Sequence, residues 1–330
     1  MGYLALCLLL LLLLFILELR PVLVSHAASL CEEGDGWALD WAEDFAGDAL
    51  NLTRWSVHTG SGDSLARLST ATHENVYVQG GRLVLRSRRE TANVSIAGQV
   101  YNYSTGAVTS LGKVSFAPPF RLCVVARLPG AGGGPNCTCP DGLQLSSDQL
   151  EGCPGKGIWP AHWLMPDVPN ATCCWAGDQS CCTSTCSHGH AEIDVMEMLN
   201  SDGVLHATYH SGSDCTANEA KSGYRFVGSN WGEKDHEYAV EVGADYVAFA
   251  LDGGVYTNIS AVAHSIQHGG RWANYSTTGS SGFWRWPYYI LLNTALGFQP
   301  NNPDNPDEHT VLPQYHSIDS VRVMRPKTGG

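Results

Sequence analysis

The chain has 330 residues, 44 % of them apolar and 15 % charged, and a net charge of −13 at neutral pH. That balance is enough for one large domain with a full core and excludes a disordered chain. The negative sign disfavours nucleic acid, an acidic membrane surface or a heavily sulfated polysaccharide as partner.

Taken in order, Leu4–Leu17 form an apolar run of 14 residues, closed by Glu18 and Arg20. A membrane span needs about 20 residues, so the run reads as the core of a signal peptide over 1–27, cleaved near Ala27 after Ser25-His26-Ala27. An uncleaved signal anchor is the alternative. Seven N-x-[ST] sequons, at Asn51, Asn93, Asn102, Asn136, Asn170, Asn258 and Asn274, agree with export and predict N-glycans. Without Cys7, eleven cysteines remain, eight of them between Cys137 and Cys186, a density expected of disulfides in a secreted chain. The connectivity stays open, an odd number leaves at least one thiol over, and a zinc site built from the paired cysteines with His188 or His190 is the rival.

Beyond the leader, short β-branched and aromatic runs alternate with Gly, Asn, Asp and Pro, and no helical period is sustained. Strands are predicted at 75–79, 82–87, 106–111, 121–127, 158–164, 191–199, 205–210, 237–242, 247–251, 288–295 and 317–324. Gly80-Gly81 and Asp252-Gly253-Gly254 mark hairpin turns. So many strands at this spacing predict an all-β fold, a jelly-roll sandwich of two antiparallel sheets with a concave substrate cleft. Residues 28–330 read as one domain. Two Gly-, Cys- and Pro-rich segments, about 129–155 and 166–189, look inserted on either side of the 158–164 strand and are expected to lie beside the cleft, stapled by disulfides.

The stretch His190–Leu199 holds three acids, Glu192, Asp194 and Glu197, among Ile193, Val195, Met196, Met198 and Leu199. On a regular strand Glu192 and Asp194 share a face while Glu197 falls on the other. A one-residue bulge around Val195–Met196 restores the phase and brings all three to one side. The Cα atoms of Glu192 and Glu197 would then lie roughly 13 Å apart. Side chains leaning inward close that to the carboxyl separation of about 5–5.5 Å used by retaining glycosidases. The plainer alternative is a half-exposed strand whose acids face water.

Beyond that strand, Gly157-Ile158-Trp159-Pro160-Ala161-His162-Trp163 resembles a G-x-W-P-A-x-W segment, and Glu192-Ile193-Asp194-Val195-Met196-Glu197 an E-[IL]-D-x-x-E signature. His206-Ala207-Thr208-Tyr209-His210 resembles an H-x-T-x-H strand. Upstream Glu74-Asn75-Val76 with Gly81–Leu85, and downstream 236–241, 249–253, 287–293 and 318–323, follow in the same order. Together these resemble glycoside hydrolase family 16 in its laminarinase-like branch of endo-β-1,3-glucanases, across roughly Trp41 to Met324. Two features depart from the family: Val242 stands where Trp often follows the Glu of Y-A-x-E-W, and the Cys-rich insert is unusual.

The resemblance implies Glu192 as nucleophile, Glu197 as acid/base and Asp194 tuning the nucleophile. The substrate implied is a β-glucan with β-1,3 or mixed β-1,3/1,4 linkages. Sugars bind by aromatic stacking and hydrogen bonding, which singles out Trp159 and then Trp163, with core packing the competing role for each. His210 and Asn293 match cleft-lining positions, and Asn75 is a further candidate. Trp231, Trp284 and Trp286 are undecided. Catalysis needs no cofactor. Some relatives hold a structural calcium away from the cleft, and Glu43 and Asp319 are its candidate ligands here. A transglycosylase on cell-wall β-glucan and a non-catalytic β-glucan recognition protein are the competing functions; loss of the acids would mark the second, and all three are present.

Overall fold

The structure is a computed structural model that describes residues 29–34, 36–60, 66–96, 99–130, 137, 146–167, 192–211, 219–228, 231–244, 246–260 and 287–327. The leader 1–27, most of both inserted segments, Trp284, Trp286 and seven of the eleven cysteines lie outside the described residues. In chain order the strands are β1 (Trp37–Glu43), β2 (Ser56–Val57), β3 (Thr70–Ala71), β4 (Val76–Val78), β5 (Leu83–Ile96), β6 (Gln99–Thr105), β7 (Ala107–Thr109), β8 (Phe120–Arg127) and β9 (Ile158–Pro166). They continue with β10 (Ile193–Glu197), β11 (Val204–Ser211), β12 (Glu219–Phe226), β13 (His236–Val242), β14 (Tyr246–Leu251), β15 (Gly254–Ser260), β16 (Tyr288–Leu296) and β17 (Gln314–Pro326).

These strands form two sheets. One runs β15-β14-β13-β8-β17-β5-β6-β3, with β1 beside β17 and β4 beside β5; the other has seven strands, β12-β11-β10-β9-β16-β7-β2. The sandwich is as anticipated, and every ladder is antiparallel except the short β3–β6 pair. Alternation supplies the core between the sheets. Leu164, Ile193, Val195, Met196, Leu205, Ala207, Ile290 and Leu292 point inward from the seven-stranded sheet onto Leu122, Val124, Tyr238, Val240, Phe249, Val321 and Val323 of the other.

All eleven predicted strands are present. Six more were not anticipated: β1, β2, β3, β6, β12 and β15. β2 and β3 have two residues each, too few to show a period, and β12 reads Glu-Ala-Lys-Ser-Gly-Tyr-Arg-Phe, with few β-formers. Gly80 and Gly81, at φ 61° and 72°, close the β4–β5 hairpin, and Asp252-Gly253, at 48° and 77°, closes β14–β15. Disulfides join Cys31 to Cys123 and Cys137 to Cys153, the second within the first inserted segment.

The calcium ligands suggested by the sequence do not suit that ion. Glu43 accepts the Phe45 backbone N–H and lies 3.5 Å from Arg54, while Asp319 pairs with Arg82 at 3.1 Å. A guanidinium beside each carboxylate already supplies the positive charge a calcium would bring, and no third acid joins them in a metal-sized group among the described residues.

Candidate active site

The bulge sits where the acids require it. Along β9 the register runs Ile193 to Leu164 and Asp194 to Trp163, then skips Val195 and resumes with Met196 to His162 and Glu197 to Ala161. Val195 and Met196 therefore both enter the core, and Glu197 returns to the outer face with Asp194. Gly157 sets the start of β9. Its φ is +76°, and a Cβ there would lie 2.3 Å from the ring of Pro306, so only glycine fits where the chain turns to present Trp159.

Glu192 and Asp194 are buried, 8 % and 3 % exposed, and their carboxyls share a hydrogen bond. His210 Nε2 lies 3.1 Å from Asp194 Oδ2, while the His210 backbone N–H donates to the Glu192 carbonyl at 2.9 Å. Glu192 Oε2 is buried with no hydrogen-bond partner among the described residues. The Trp159 indole N–H donates to Glu197 Oε1 at 2.9 Å. Burial and then the Asp194 charge push the Glu197 carboxyl up to about 8, although the Trp159 N–H, His210 and Arg67 pull it down. Glu192 is also held well above the usual carboxylate range, by burial first and then by Asp194 and Glu197. Atoms of Glu192, Asp194 and His210 lie within 4.8 Å of one another, and the shared proton accounts for two carboxyls approaching so closely.

Of the five expected substrate contacts, Trp159 and His210 reach the acids. Trp159 does so through its N–H, with its ring tilted against Phe298 at 5.2 Å. Trp163 is only 4 % exposed, donates to Asn293 Oδ1 at 2.8 Å and packs with Met165, Tyr289 and Leu291, so it offers no open ring face. Asn293 is buried with it. Asn75 is fully buried, donating to Ser104 and accepting from Arg86. Trp231 stacks on His236 at the end of β13, in the other sheet. The residue missed from sequence is Arg67. Its guanidinium lies 4.8 Å over the Trp159 ring, and its charge lowers both Glu192 and Glu197. Nothing periodic marks it; a backbone bridge to Leu296 and a φ of +56° carry it there.

Fold and site together define a two-sheet β-sandwich with a three-carboxyl cluster on the outer face of one sheet. No protein-family model matches the chain. Over 88 % of its length it is 24 % identical to glucan endo-1,3-β-glucosidase A1 of Niallia circulans and 25 % identical to keratan-sulfate endo-1,4-β-galactosidase of Sphingobacterium multivorum. It spans only 38 % and 55 % of those two proteins. The catalytic domain of an endo-1,3-β-glucanase (laminarinase) from Thermotoga petrophila superposes with a TM-score of 0.64 at 25 % identity, covering 88 % of this chain and 99 % of that one. The resemblance to the laminarinase-like branch of family 16 therefore holds in both sequence and fold.

Proposed function

We propose that the chain is a secreted, retaining endo-glycoside hydrolase acting on β-glucan with β-1,3 or mixed β-1,3/1,4 linkages. The observation that carries this is the β10 bulge, which sets two carboxyls of unlike surroundings on one face. With the proton of their shared hydrogen bond on Asp194, Glu192 attacks the anomeric carbon as the carboxylate. Glu197, held protonated through neutrality, gives its proton to the departing glycosidic oxygen. A glycosyl ester on Glu192 results, and the shortened chain leaves with a free hydroxyl. Glu197, now a carboxylate, takes a proton from water, which displaces Glu192 and regenerates both groups. Asp194 holds the nucleophile through their shared hydrogen bond, and the Trp159 N–H orients Glu197. An uncharged glucan suits a chain of net charge −13. The apolar leader and the sequons support secretion, cleavage near Ala27 and N-glycosylation, and the core shared by both sheets supports one catalytic domain.

The test is purified protein against laminarin, lichenan, agarose and xyloglucan, with product sizes resolved and the anomer of early products read by NMR. Shortened β-glucan chains with retained configuration are expected, and Glu192→Gln should lose nearly all turnover, on the order of 10⁴-fold or more. Inverted early products would overturn the mechanism. A glucan lengthened in place of a hydrolysed one would favour transglycosylation.

A further inference from the structure

The outer face of the seven-stranded sheet continues past the acids. Across β10 and β11, Glu197 is registered with His206, and across β11 and β12, His206 is registered with Tyr224. Cross-strand partners share a face, so Glu197, His206 and Tyr224 lie in one row, with Tyr224 about 10 Å from Glu197, two inter-strand spacings away. Two residues on, Phe226 shares that face. Both rings are open, Tyr224 58 % and Phe226 44 % exposed, on the edge strand of the sheet.

Three features make this a built ledge and not stray surface. The Tyr224 ring stands edge-on to His206, centroids 4.9 Å apart at 87°. His206 Nε2 is buried with no hydrogen-bond partner among the described residues, and burial pushes that imidazole down to about 4, so it stays neutral. In the neighbouring row the hydroxyls of Thr208 and Ser222 lie 3.0 Å apart. Gly223 faces the opposite way, where a Cβ would meet Thr257 of β15 at 2.4 Å, so the glycine lets β12 lie close against that strand with Tyr224 outward.

We propose that Tyr224 and Phe226, backed by His206, form an outer sugar subsite that takes hexose units of the same polysaccharide chain beyond those at the acids. A pyranose presents an apolar C–H face and a rim of hydroxyls. The two open rings match the first, and the hydroxyl of the exposed Ser222, held by Thr208 on the same face, matches the second. The occupant is the distal part of the substrate because the ledge continues the catalytic row without a break. This inference rests on the β-glucan reading above.

The experiment measures binding of laminari-oligosaccharides of three to seven units by calorimetry, in the full chain carrying Glu192→Gln to stop turnover. With the ledge intact, affinity should keep rising to the longest chains. Adding Tyr224→Ala should remove about tenfold of that gain for the longest chains and leave the trisaccharide unaltered. Tyr224→Phe, which keeps the ring, should retain it. Should Tyr224→Ala not fold, Tyr224→Leu and Phe226→Ala, whose side chains are largely in solvent, carry the same comparison. If the native protein cleaves β-glucan and the ledge variants bind long chains as tightly as their parent, the subsite is overturned and the hydrolase stands. If the native protein neither cleaves nor binds any β-glucan, both fall together.

Discussion

Glu197 keeps its proton through neutrality because it lies among protein atoms beside another acid, and the Trp159 N–H only partly offsets this. That bond stabilises the ionised form, so Trp159→Phe, which keeps a ring against Phe298 but loses the donor, should move the alkaline limb of kcat/KM to higher pH. A pH profile of the variant checks this; an unmoved limb would mean that the indole does not tune the acid. The same burial has a stability consequence. The folded value, about 8, lies above the ordinary 4.5, so the folded state binds the extra proton between them and stability falls as pH climbs through that window. Glu197→Gln removes the titration. The variant should be inactive on polysaccharide yet more stable than its parent at pH 8, by up to about 4 kcal/mol, with the gap closing near pH 4. Denaturant melts at the two pH values decide it.

At the scale of elements, β10 does its work through one surplus residue. Deleting Val195 would leave Asp194 followed by Met196 and Glu197, a plain alternation that still turns both acids outward. What is lost is the local kink and the placement of Glu197 against Trp159. A shift of about 1 Å in a catalytic group costs on the order of 100-fold in rate. The deletion should therefore cut turnover by at least that factor while the chain still folds, less stable by about 2 kcal/mol for one buried Val. Melting curves beside initial rates test this, and near-native rates would show that facing alone suffices.

Over the whole molecule the two sheets are also joined by a polar contact. His162 of β9 and His316 of β17 meet through their Nε2 atoms at 2.9 Å, both fully buried. Burial holds His162 well below 6.5 and His316 down at about 3. With folded values depressed, their contribution is present above about 6.5 and is lost as pH falls toward 3, the opposite direction to Glu197. Stability should therefore peak at mildly acidic pH. Replacing both with leucine, so that neither is left unpaired, should flatten the loss between pH 6 and 3. An unchanged acid slope in denaturant titrations would assign that loss to other groups. The Cys31–Cys123 disulfide closes a separation of 92 residues and ties the start of the described chain to β8 near the middle of the larger sheet.

The eleven strands with clear alternation were legible from the amino acids, and so was the bulge, because facing along a strand is a local property and three acids at 192, 194 and 197 share a side only if one residue is surplus. The edge strands β12 and β15 and the two-residue β2 and β3 escaped notice, since their pairing comes from neighbours distant in the chain. The site divided the same way. The acids, Trp159 and His210 followed from spacing and motif, whereas the burial of Trp163, Asn293 and Asn75 depended on what packs over them. Arg67, Phe298 and the His162–His316 contact carry no signal of their own in the sequence. Strand period is set by covalent geometry one residue at a time, but a charge over an indole or two imidazoles between sheets exists only once separate strands have met.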